Sequence, residues 1–99
     1  MRGHSTAVVI AIGLLATTVA AAAQTRIFPN TDRRAANDRA VSLPSFKATL
    51  GNCVQACIDD QACRTFTFAR SVKDGPNCWL NSGLPPGRPD GCCDSGRVH

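Results

Sequence analysis

From Leu50 to Asn81 the apolar positions change period once, from a helical stripe to a two-residue alternation. Leu50, Val54, Cys57 and Ile58 recur at i, i+4, i+7 and i+8, the stripe of a short amphipathic helix. Thr49 offers an N-cap oxygen with Asn52 at the third helical position, so a helix is predicted from Leu50 to about Asp60. Cys53 and Cys57 lie four apart and share one helical face. The period then falls to two over Arg64–Ala69, which puts Phe66 and Phe68 on one face of a strand and Thr65 and Thr67 on the other. Asp74-Gly75-Pro76 marks a turn, and Asn77 to Asn81 reads as the return strand of a hairpin. There Cys78 and Leu80 share a face and Trp79 takes the opposite one.

The flanks are less regular. Met1–Thr6 carries one arginine, Ala7–Ala20 is uncharged and weakly apolar, and Ala21-Ala22-Ala23 supplies small residues before Gln24. This is the layout of an export signal cleaved after Ala23, and the run is short for a membrane span. Residues 24–42 read as a polar leader that includes a first strand, with Ile27 and Phe28 its only large apolar pair. Ala40–Leu43 is a second short strand, ended by Pro44, and Phe46 is a core candidate ahead of the helix. Arg33-Arg34 with Arg39 could touch an anion, although a solvated loop is the simpler reading. Gly83–Gly91 holds three prolines and three glycines and is expected as an exposed loop, followed by a last edge strand over Cys92–Val98.

Composition narrows the class. Export would leave 76 of the 99 residues, and losing Arg2 would lower the net charge from +4 to +3. A core that small is marginal without covalent staples. All six cysteines lie between positions 53 and 93, which reads as a disulfide framework in an oxidising compartment, secreted or periplasmic. Zinc is disfavoured, because there is no Cys-x-x-Cys and the only histidine after the signal is His99; no metal and no cofactor are expected. The chain has no Glu and no Tyr, so paired-carboxylate or Ser-His-Asp chemistry lacks its parts, and Asp59-Asp60 reads as a solvated helix end. The basic residues are scattered without an aromatic stacking surface, a poor nucleic-acid signature.

The run Cys53-x3-Cys57-x5-Cys63-Arg-Thr-Phe-Thr-Phe, followed by Cys78-Trp79-Leu80 and a late Ser95-Gly96, resembles the PAN/apple domain family, especially its small bacterial secreted members. The resemblance covers about Leu43–Val98. It implies an α+β fold, a small disulfide-stapled PAN/apple-like domain over residues 43–99 with one helix packed on an antiparallel sheet. It also implies nested disulfides, Cys53 with Cys78 and Cys57 with Cys63. The sequence departs from the family at Asp94, where an apolar residue is usual, and in having no cysteine before Cys53. Cys92 and Cys93 are thereby left to a vicinal bond, a link to another protein, or a disulfide-linked homodimer.

The resemblance implies a non-enzymatic binding module for a protein or glycan ligand. The expected recognition surface is the sheet face away from the helix, with Thr65, Thr67 and Trp79 pointing outward and Arg70 and Lys73 at the rim. Two alternatives stand beside it. One is a secreted cationic effector or protease inhibitor using the Gly83–Gly91 loop; the other is a thiol-redox protein using Cys92-Cys93.

Overall fold

The computed structural model describes residues 25–99; the expected export signal lies outside them. The elements in order are β1 (Arg26–Phe28), β2 (Thr31–Asp32), β3 (Arg39–Val41), a 3-10 turn (Ser45–Lys47), α1 (Leu50–Asp59), β4 (Thr65–Ala69), β5 (Cys78–Asn81), β6 (Arg88–Pro89) and β7 (Cys93–Arg97). Five strands form one sheet in the order β1-β7-β4-β5-β3, and β2 pairs with β6 in a separate two-stranded ladder. Every pairing is antiparallel.

Helix α1 is too short to stand alone in water. Thr49 caps it, its hydroxyl oxygen accepting from the Asn52 N–H at 3.2 Å, while Asn52 Nδ2 donates to the Lys47 carbonyl at 2.9 Å. Its last turn holds Asp59 and no basic residue, the wrong sign for the negative end of the helix dipole. What holds it is covalent. Cys53, fully buried, is bonded to Cys78 on β5, and Cys57 is bonded to Cys63 at the entry to β4. With loops of 25 and 6 residues these bonds contribute roughly 3.5 and 2 kcal/mol in the chain-entropy model. Phe66, Phe68, Leu80 and Val98 complete the core between helix and sheet, with Val41, Leu43, Leu50 and Val54 packed around them.

Strand β4 lies at the centre of the sheet with all five residues buried. The Phe66 ring leans over Gly96 on β7, where an added Cβ would come within 2.7 Å of a ring carbon and collide with the Arg26 carbonyl. Only glycine fits there. In the β4–β5 hairpin Gly75 takes φ +95°, which other residues adopt with strain. Asn77 at the end of that hairpin is fully buried and fully used. Its Oδ1 accepts from the Leu43 N–H at 2.8 Å, and its Nδ2 donates to the Leu43 and Val72 carbonyls at 3.0 and 3.4 Å.

Several expectations are corrected. Cys92–Val98 was expected at the sheet's edge, but β7 is flanked on both sides, because the leader supplies β1 beyond it. Residues 25–41 are therefore part of the fold and contribute three strands. Phe46 is 80% exposed and outside the core, carried outward by the 3-10 turn while Leu43 and Ala48 pack inward in its stead.

The largest correction concerns the face away from the helix. Thr65 and Thr67, expected to point into solvent, are each only 1% exposed. A second layer built from residues 29–38 and 83–91 covers them. The Thr67 hydroxyl oxygen accepts from the Arg33 N–H at 3.1 Å, and the Thr65 hydroxyl donates to the Gly83 carbonyl at 3.0 Å. The Gly83–Gly91 segment is exposed over most of its length, as expected, but is tied to the fold by the β2–β6 ladder and the Thr65–Gly83 bond.

Candidate functional site

The second layer is held by two arginines. Arg33 and Arg34, adjacent in sequence, take different aromatic partners. The Arg33 guanidinium carbon lies 4.5 Å from the centre of the Phe28 ring, and its Nη1 donates to the Pro85 carbonyl at 3.1 Å. The Arg34 guanidinium lies 4.8 Å from the centre of the Trp79 ring. Such stacking is favourable because the positive plane meets the negative face of the ring.

Arg34 is fixed in that pose by Asp32, which is only 3% exposed. Arg34 Nε and Nη2 donate to the two carboxylate oxygens, the shortest bond being 2.8 Å, and the Arg34 backbone N–H adds a further bond of 2.8 Å. Arg88 on β6 approaches the same carboxylate at 3.3 Å. The Arg34 side-chain hydrogen bonds, ahead of burial, hold the Asp32 carboxyl below the usual carboxylate range. Asp32 in turn raises Arg34.

Beside this pair lies the Cys92–Cys93 disulfide, a bond between neighbouring residues. Cys93 is fully buried and Cys92 partly exposed. Arg34 Nη2 stands 3.9 Å from Cys92 Sγ. The two sulfurs and an Asp32 oxygen lie within 4.8 Å of one another. Those three atoms have the chemistry of a metal ligand set only when the sulfurs are thiolates, and here they are bonded to each other. All six cysteines are in intrachain bonds, Cys92 with Cys93.

The five residues expected to form a binding surface separate into three groups. Thr65 and Thr67 are buried, as described. Trp79 is half-buried at the margin of the second layer, opposite Thr67 and the exposed Ala40. Arg70 and Lys73 are exposed, but only Lys73 is free of ion pairs. Arg70 clamps three segments: Nη1 donates to Asp94 at 2.6 Å, and Nη2 donates to Asn30 Oδ1 at 3.0 Å and to the Gly91 carbonyl. Burial pushes Asp94 up, but the Asn30 N–H and Arg70 outweigh it and hold the carboxyl below its ordinary range. Arg39, grouped with Arg33-Arg34 as an anion contact, is paired with Asp60.

Asp32 and Asn81 are two further residues of the site that residue pattern alone does not single out. Asn81 Nδ2 donates to Asn37 and Asp38 at 2.9 and 2.7 Å, tying β5 to the covering layer. Asp32 did carry a local signal: an aspartate two residues before Arg34 forms an Asx-type turn through the Arg34 N–H.

A family model described as the PAN domain matches residues 34–81. The match runs from Arg34 through β3, α1, β4 and β5, and takes in both nested disulfides. No curated protein matches the chain. One helix stapled by nested cysteines across an antiparallel sheet, in the segment that the family model matches, is consistent with the PAN/apple domain family.

Proposed function

We propose that this domain is a non-catalytic binding module of the exported type, recognising a protein or carbohydrate ligand through the Trp79–Arg34 margin of the sheet, with Lys73 on the adjacent hairpin. Binding to proteins or carbohydrates is the kind of activity PAN domains have. Three disulfides in a 99-residue chain fit an extracellular setting. The observation that carries the reading is the pose of Trp79. It is partly exposed and stacked by an arginine that Asp32 already holds in place. A rigid aromatic–guanidinium platform loses little side-chain entropy on meeting a sugar ring or a peptide.

The test is a screen of the folded protein against a glycan array and a panel of extracellular proteins, with Trp79→Ala alongside. A ligand for the wild type whose affinity falls about tenfold or more in Trp79→Ala supports the reading. Absence of binding to both classes, or equal binding by the variant, refutes it. Amide exchange of β4 in both proteins separates loss of contact from loss of fold.

A further inference from the structure

Cys92–Cys93 has no part in the staple that holds the helix. We propose that it is a thiol–disulfide exchange site, opened and closed by a dithiol partner while the rest of the fold stays intact. Three observations point there.

The first is the covalent loop. Cys53–Cys78 and Cys57–Cys63 close 25 and 6 residues, whereas Cys92–Cys93 closes none. Constraint on the unfolded chain shrinks with loop length, so breaking the neighbouring pair releases almost no chain freedom. Strand β7 keeps its backbone ladder to β4, and the Cys92 carbonyl keeps the Arg70 N–H at 3.1 Å.

The second is access. Cys53, Cys57, Cys63 and Cys78 are fully buried in the core, and Cys93 is fully buried against β4. Cys92 is the one cysteine of the six with solvent exposure. In the proposed exchange an incoming thiolate is therefore directed to Cys92, the other five cysteines being fully buried.

The third is the charge beside it. Arg34 Nη2 lies 3.9 Å from Cys92 Sγ, where a guanidinium favours a thiolate. The other charged groups around the pair are Asp32 on β2, Arg88 on β6, Asp90, whose carboxylate accepts the Cys92 N–H at 3.0 Å, and the Arg70–Asp94 pair at the end of β4 and on β7. Of these, only Arg34 is in hydrogen-bonding position to a sulfur. That contact supplies what the bare Cys92-Cys93 dipeptide lacks, a positive charge beside a sulfur, with the Asp32 carboxylate within 4.8 Å as the opposing charge.

The exchange balances in two steps. A thiolate of the dithiol attacks Cys92 Sγ. The Cys92–Cys93 bond breaks, and its electron pair leaves on Cys93 Sγ, which takes a proton from water. The dithiol's second thiolate then attacks its own sulfur in the mixed disulfide, and Cys92 leaves as a thiolate beside Arg34. The cysteine pair gains two electrons, and the dithiol is oxidised to its internal disulfide.

The experiment is graded reduction of the native protein with dithiothreitol, quenching with N-ethylmaleimide and peptide mass spectrometry. Cys92 and Cys93 should be labelled at a concentration about tenfold lower than the other four cysteines. Amide protection in β4 should persist at that point. Labelling of all six together, or of the core four first, overturns the proposal. So does a Cys92→Ser/Cys93→Ser variant that loses the protection of β4. For Arg34, the readout is the pH dependence of Cys92 alkylation in the selectively reduced protein. Arg34→Gln should shift the profile to higher pH and Arg34→Lys should restore it; an unmoved profile removes Arg34 from the mechanism.

Discussion

The two faces of the sheet are built from different materials. The helix face is apolar and covalent, with Phe66, Phe68, Leu80 and two disulfides gathered under ten residues of helix. The opposite face is polar, with threonine hydroxyls bonded to backbone, two arginines stacked on aromatics and one buried aspartate. The unpartnered buried polar atoms among the described residues, Ser95 Oγ and Arg33 Nε, belong to this second face. The difference shows how a chain this small can cover both sides of a sheet. One side takes most of the large apolar residues and the two nested disulfides. The other is covered by segments that use side-chain hydrogen bonds where apolar area is lacking.

Breaking each face should have unequal consequences. Phe66→Ala removes a fully buried ring from the helix face and should cost about 3–5 kcal/mol in urea unfolding. Asp32→Asn on the other face should cost about 1–2 kcal/mol, since Arg34 is 38% exposed and water screens part of the lost pairing. Its effect should be local, with amide exchange rising in residues 29–38 before β4. Acid should act the same way. Asp32 and Asp94 are held below the ordinary carboxylate value of 3.8 in the folded state, so their contribution is complete above it. It declines as pH falls from there through the folded values, and a pH series of amide exchange should show the second layer loosening first. The smallest effect is Ser95→Ala. Removing a buried hydroxyl that has no partner should leave stability unchanged or raise it by up to about 1 kcal/mol.

The contrast also explains what the sequence could disclose. Helix α1, β4 and β5 were legible because their apolar residues follow periods of 3.6 and 2. Thr49 could be recognised as a cap from residue type alone. The second layer has no periodicity to read. Its strands, β2 and β6, are two residues long, and Asp32 and Arg34 acquire their meaning only when Trp79 and Cys92, far along the chain, come to meet them. Alternation assigned Thr65 and Thr67 to the face opposite the phenylalanines, which holds. It could not say that this face is covered, because the cover comes from irregular segments. Phe46 departs the other way: a large apolar residue near a helix start reads as core, and the 3-10 turn sends it outside.

The central claim is that the helix-face staple carries the fold and the Cys92–Cys93 bond does not. The most direct measurement compares urea unfolding of Cys53→Ser/Cys78→Ser with that of Cys92→Ser/Cys93→Ser. The account predicts a loss of roughly 3.5 kcal/mol or outright unfolding for the first variant and less than about 1 kcal/mol for the second. Equal losses, or a larger loss in the second, would contradict it.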